Sequence, residues 1–100
     1  MRISEEEKTA ILEMAKLHFG EKSQVRLFGS RADDSLRGGD LDLLVETSLS
    51  SEEAHSRRVP FLVDLKRRIG ERRIDLVVSS SDSSDRPIDR LARREGILLK

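Results

Sequence analysis

The segment Asp40-Leu41-Asp42-Leu43-Leu44-Val45-Glu46 limits what this chain can fold into more than any other part of it. Side chains alternate across a β-strand, so Asp40 and Asp42 share one face while Leu41, Leu43 and Val45 share the other and must meet a core. Two anions are thereby held together on a strand whose reverse side is apolar. Such a strand needs a sheet around it and elements that cover one side of that sheet.

The rest of the chain supplies them. Ser4 followed by Glu7 is a capping box, and Ile11, Leu12, Ala15 and Phe19 follow at helical spacing until Gly20 ends the helix. Gln24-Val25-Arg26-Leu27-Phe28 alternates as a strand and runs directly into Gly29-Ser30. Ser30-Arg31-Ala32-Asp33 can open a short helix, with the Ser30 hydroxyl as its N-cap, before Ser35 to Gly39 breaks it. After the Asp40 strand, Ser50 and Glu53 form a second capping box, and Ala54, Phe61, Leu62, Leu65 and Ile69 keep one apolar stripe up to Gly70. Pro60 interrupts that stripe; either one helix kinks there or the helix begins with Pro60 in its first turn. Ile74-Asp75-Leu76-Val77-Val78 is a third strand, and Pro87 starts a short helix through Ile88, Leu91 and Ala92 that Gly96 closes. The tail Ile97-Leu98-Leu99 serves as an interface or as a last strand.

The resulting order is α-β-α-β-α-β-α, an α/β (α+β) arrangement in a single domain spanning residues 1–100. A chain of 100 residues buries roughly 60 to 70% of its unfolded surface, enough for one core. That core is aliphatic, because the only aromatic residues are three Phe. With no cysteine and only His18 and His55, disulfides and thiolate metal sites are excluded and a structural zinc site is not expected. Both histidines read as surface or packing residues, since nothing pairs them with a nucleophile. The N-terminus lacks the apolar core of a signal peptide and no apolar run approaches a membrane span, so a cytoplasmic protein with no membrane partner is expected. Net charge is zero, and no aromatics interleave the arginines gathered at 57–58, 67–68, 72–73 and 93–94. Nucleic acid is therefore not expected as the main partner.

Asp75 opposes Ile74, Leu76 and Val78 on its strand, as Asp42 opposes Leu41 and Leu43. If the second and third strands are neighbours, Asp40, Asp42 and Asp75 converge. A cluster of carboxylates is costly unless a cation sits in it, and oxygen-only sites suit hard divalent cations such as Mg²⁺, which shares its coordination between carboxylates and substrate phosphates. Gly29-Ser30 fits the phosphate-holding element that such a site needs: glycine lets the backbone approach closely, and the helix start that follows offers free N–H groups.

In this order, Gly29-Ser30-Arg31-Ala32, then Asp40-Leu41-Asp42-Leu43, then a later strand carrying Asp75, the chain resembles the DNA polymerase β type nucleotidyltransferases. It looks most like their minimal stand-alone branch, the antitoxin-like partners of small helical HEPN-domain proteins. The resemblance covers essentially the whole chain. It implies a palm-like fold, with a small mixed sheet of three to four strands and helices packed on one face. It also implies that Gly29, Ser30 and Arg31 bind the nucleoside triphosphate, that Asp40 and Asp42 bridge two Mg²⁺ ions, and that Asp75 completes the metal site and helps to take the acceptor's proton. Two positions depart from the family pattern: Asp33-Asp34 stands where Arg-Gly is common, and Gly39 replaces a frequent Ser. A cation beside the triphosphate is then lacking unless Arg31 or Arg37 supplies it.

Two functions of different classes follow from the resemblance. In the first, the chain is a Mg²⁺-dependent enzyme that transfers AMP from ATP to a hydroxyl of a protein acceptor. The sequence stops soon after its third strand, so the acceptor is expected to be presented by a partner. The resemblance makes that partner a HEPN-type toxin, bound in a hetero-oligomer and silenced by the antitoxin of a toxin–antitoxin pair. In the second, the chain is a binding module that masks the HEPN partner by contact alone. Three converging anions favour the first, because a purely structural domain gains nothing from them.

Overall fold

The computed structural model of the chain describes residues 3–28, 41–71, 73–81 and 96–99. Helix α1, Glu5–Phe19, begins on the capping box read from the sequence. The Ser4 hydroxyl accepts the Glu7 N–H at 3.1 Å while Glu7 Oε1 accepts the Ser4 N–H at 3.0 Å, which satisfies two donors that a helix start leaves without partners. Helix α2, Ser51–Ile69, begins on half of the second box: the Ser50 hydroxyl accepts the Glu53 N–H at 3.3 Å, without the reciprocal Glu53 contact that the sequence suggested. Each helix stops on a glycine whose positive φ an L side chain would strain against, Gly20 at 104° and Gly70 at 93°. Pro60 lies inside α2, which runs through it as one helix. Of the two readings of Pro60, the helix that starts there is therefore ruled out.

Four strands follow the apolar alternation: β1, Gln24–Phe28; β2, Leu41–Glu46; β3, Ile74–Ser79; and β4, Ile97–Leu99. They form one mixed sheet in the order β3-β2-β1-β4. β1 is antiparallel to both β2 and β4, whereas β2 and β3 are parallel. A parallel pair needs a crossover, and α2 is that crossover. The tail 97–99 is thus a fourth strand, in register with β1 through Val25↔Leu99. Among the described residues the architecture is α+β, with two helices and four strands in the order α-β-β-α-β-β. The short helices expected after Ser30 and after Pro87 lie outside those residues, as does Asp40 at the head of the second strand. No described helix is long and apolar enough to cross a membrane.

Both helices pack on the same side of the sheet. Val25, Leu27, Leu41, Leu43, Val45, Leu76 and Leu99 project from the strands into a core completed by Ala10, Ile11, Ala15 and Phe19 of α1 and Ala54, Phe61 and Leu65 of α2. Phe19 and Phe61 meet edge to face with centroids 5.3 Å apart, joining the helices at the centre. Polar contacts fix their relative position. His18 Nε2 lies 2.8 Å from Asp64 Oδ2, with the His18 ring against the edge of Phe61, and Arg68 donates to Glu13 at 3.0 Å. His18 is therefore a packing residue, as read from the sequence, and also a hydrogen-bonded tie between the helices.

Thr47 joins three elements at once. It is nearly buried, at 8% exposure, just past the end of β2. Its hydroxyl donates to the Phe19 carbonyl at 2.7 Å and accepts the Leu49 N–H at 3.2 Å, while its own N–H donates to the Ser79 carbonyl at 3.0 Å. The Phe19 carbonyl is one of the acceptors that a helix end leaves without an intrahelical donor. Replacing Thr47 with Val keeps the shape and removes that donor, at a cost of about 1 to 3 kcal/mol. For a domain of this size we expect Thr47→Val to melt roughly 5 to 15 °C below wild type and Thr47→Ser to stay close to it. Thermal denaturation followed by circular dichroism checks this, and equal melting of the valine variant would remove the hydroxyl from the structural account.

Candidate functional site

The register of the sheet gathers the residues that carry chemistry. Phe28 at the end of β1 pairs with Asp42 on β2, and Asp42 pairs with Asp75 on β3. The three positions form one row across three strands. Because β1 runs against β2 while β3 runs with it, the row lies where β1 ends and where β2 and β3 begin. Gly29 follows Phe28 in the chain and Asp40 precedes Leu41, so both expected site segments are joined to this end of the sheet in sequence. Gly29, Ser30, Arg31 and Asp40 themselves lie outside the described residues.

Alternation sets the faces of the row. Leu41 and Leu43 flank Asp42 and are fully buried toward the helices, and Leu76 next to Asp75 is nearly so, so both carboxylates emerge on the sheet face away from the helices. Neighbouring strands lie about 4.7 to 4.9 Å apart, and residues in parallel register point the same way. The two carboxylates of Asp42 and Asp75 thus stand side by side, as the sequence required if the strands were adjacent. Asp42 is half-buried, and Asp75 on the outer strand has a side chain 51% exposed. Arg73 Nε lies 3.9 Å from Asp75 Oδ1, and both side chains are largely open to solvent, so that ion pair contributes little.

This donor set fits a hard divalent cation. It is made of carboxylate oxygen alone, and its two anions lie on adjacent strands that main-chain pairing holds together, so the backbone fixes their approach. Among the described residues no group of three metal-binding side chains is assembled; Asp42 and Asp75 are two of the expected three. Without a cation, two unit charges about 5 Å apart repel by about 1 kcal/mol in water and about 3 kcal/mol at an effective dielectric of 20. The exposure of Asp75 puts the pair toward the lower figure.

Two residues on this face were not picked out from the sequence. Leu44 is fully buried although it lies on the carboxylate face, between Arg26 and Val77 in register. The signal for it was present: Leu43-Leu44-Val45 is a continuous apolar run, which marks a strand covered on both sides. Arg26, on the same face, donates through Nε to Glu46 at 2.8 Å with both side chains about three-quarters buried. That contact joins β1 to β2 one step beyond Leu44, and nothing in the spacing of Arg26 and Glu46 foretold it.

The chain matches no protein-family model and no curated protein. The repulsion within the carboxylate pair makes a prediction independent of any relative. Asp75→Asn removes one charge and a weak exposed ion pair, so in metal-free buffer the variant should melt within about 4 °C of wild type or above it. Raising NaCl from 0.1 to 1 M shortens the Debye length from about 10 Å to about 3 Å, below the separation of the pair, so it should raise the melting temperature of wild type more than that of the variant. A variant that melts more than about 8 °C below wild type would mark Asp75 as a structural carboxylate.

Proposed function

We propose that the chain is a minimal nucleotidyltransferase with the palm-like fold of the DNA polymerase β type. In this reading it transfers AMP from ATP to a hydroxyl of a HEPN-type protein partner and acts as the antitoxin of that pair. The single observation that supports the reading most is the register row Phe28–Asp42–Asp75, which sets two carboxylates next to the point where the chain passes into Gly29-Ser30. The mixed four-stranded sheet with both helices on one face also agrees with it, because that arrangement leaves the carboxylates on the face opposite the helices.

The roles follow from chemistry and position. Asp40, Asp42 and Asp75 would hold two Mg²⁺ ions through carboxylate oxygen. When bound, these ions supply Lewis acidity and lower the pKa of the acceptor hydroxyl. Gly29, with no side chain in the way, and Ser30, with a hydroxyl donor, bind the β- and γ-phosphates, and Arg31 adds positive charge beside them. Asp75, on the outer strand and half-exposed, is better placed than the more buried Asp42 to meet an acceptor arriving from solvent. The acceptor oxygen attacks the α-phosphorus, the bond from that phosphorus to the β-phosphate oxygen breaks, and pyrophosphate leaves. The acceptor's proton passes to the Asp75 carboxylate.

Incubation with ATP labelled on the α-phosphate, Mg²⁺ and the product of the neighbouring gene tests the proposal. Label should appear on the acceptor with wild type, and should be lost with Asp42→Asn, with Asp75→Asn and with EDTA. An acceptor that is neutralised with no label would instead favour masking by contact. The phosphate role of Ser30 has its own measurement. A hydrogen bond to a charged phosphate contributes about 1.5 to 3 kcal/mol, so Ser30→Ala should weaken a non-hydrolysable ATP analogue roughly 10- to 150-fold in calorimetric titration while Mg²⁺ binding changes little. Unchanged analogue affinity would remove Ser30 from the site.

A further inference from the structure

A second cleft lies at the other end of the same parallel unit. It has a volume of about 320 Å³ and runs between α2 and β3, lined by Ser51, Ala54, His55 and Arg58 on the helix and by Val78 and Ser80 across from it. β3 is the last strand in the sheet order, so among the described residues no further strand closes the outer side. Ser80 is five residues beyond Asp75, about 16 Å along a strand, so the cleft is separate from the carboxylate row.

Its polar side chains are two hydroxyls, an imidazole and a guanidinium, beside the apolar Ala54 and Val78. Ser51, His55 and Arg58 are spaced four and three residues apart and stack along the flank of α2 that faces β3, and Ala54 leaves space between them. Arg58 is partly buried, whereas every other residue of α2 from Ser51 to Pro60 except Ala54 is exposed. Among the described residues neither Arg58 nor His55 has a hydrogen-bond or ion-pair partner. The positions one turn away from Arg58 on either side are Ala54, His55, Phe61 and Leu62, so its own helix offers no carboxylate. A guanidinium partly withdrawn from water without a counter-ion is uncomfortable, and an anion in the cleft would satisfy it. His55 offers a ring N–H in either protonation state, and its neighbours are the hydroxyl residues Ser51 and Ser80.

We propose that this cleft binds a phosphate dianion, free or as a monoester, with the Arg58 guanidinium as its principal ligand and His55 as the second donor. Guanidinium matches phosphate oxygens in a two-pronged geometry, and the volume accepts a phosphate with a group attached. The shared chemistry is the phosphate dianion, free or carried on a serine side chain. Inorganic phosphate and O-phosphoserine are therefore titrated separately into the ¹⁵N-labelled chain and followed by NMR.

Saturable shifts confined to Ser51, His55, Arg58, Ser80 and their neighbours are expected. Tighter binding of phosphoserine would identify the side-chain form, and equal or tighter binding of inorganic phosphate the free ion. Arg58→Ala should weaken either ligand by about tenfold or more, and Arg58→Lys by less. Arg57→Ala, one residue away on the exposed surface, should leave affinity within about twofold. Asp42→Asn should bind phosphate as wild type does, which separates failure here from failure of the nucleotidyltransferase reading. Shifts that do not saturate, or an equal loss with Arg57→Ala and Arg58→Ala, would show a general charge effect and overturn the site. Melting curves of the variants establish that each is folded before titration.

Discussion

The parallel pairing of β2 with β3 is the constraint on which the remaining architecture rests. In that register Leu41, Leu43 and Val45 of one strand lie beside Ile74, Leu76 and Val78 of the other, and these six side chains join the core beneath the helices. A slip of one residue would turn the apolar set of one strand outward and bring a carboxylate into the core, which no pairing geometry could offset. The alignment that buries the leucines is the same alignment that sets Asp42 beside Asp75. The chain cannot obtain its core without also juxtaposing its two anions, so the carboxylate pair follows from the fold and is carried by its most strongly specified element.

The helical layer makes that alignment durable. A parallel pair requires a crossover, and α2 fulfils this by burying Ala54, Phe61 and Leu65 against the sheet while turning Val59 and Val63 to solvent. Each large side chain fully buried in this way contributes about 1.5 to 3 kcal/mol. Helix α1 is bound to α2 through Phe19 and Phe61, His18 and Asp64, and Glu13 and Arg68. Thr47 then fixes the end of α1 to the exit of β2. The contacts away from the candidate site thus hold the strand on which it depends.

The two ends of the parallel unit carry different chemistry. Carboxylates collect where β2 and β3 begin, whereas Arg58 and His55 stand beside the point where β3 ends. A formal net charge of zero conceals this separation. Composition describes the average field of the molecule, but binding responds to the local one.

The sequence by itself located both described helices and three of the four described strands. Ser4 with Glu7 and Gly20 bound the first helix and Gly70 ends the second, because capping chemistry is local and acts within one turn, while the start of the second stayed open between Ser50 and Pro60. It also determined which side of each strand is apolar, since alternation follows from backbone geometry alone, and with it the shared face of Asp42 and Asp75 once their strands are neighbours. Only the tertiary structure decided that they are neighbours, that residues 97–99 join β1 as a fourth strand, and that α2 continues through Pro60. It also decided the contacts of Arg26 with Glu46, His18 with Asp64 and Arg58 with the cleft. These depend on segments 20 or more residues apart, brought together by burial of a shared core, and hydrophobic burial is non-directional. A spacing rule reads the face that a side chain takes on its own element, but the partner across the gap is selected by how whole elements pack.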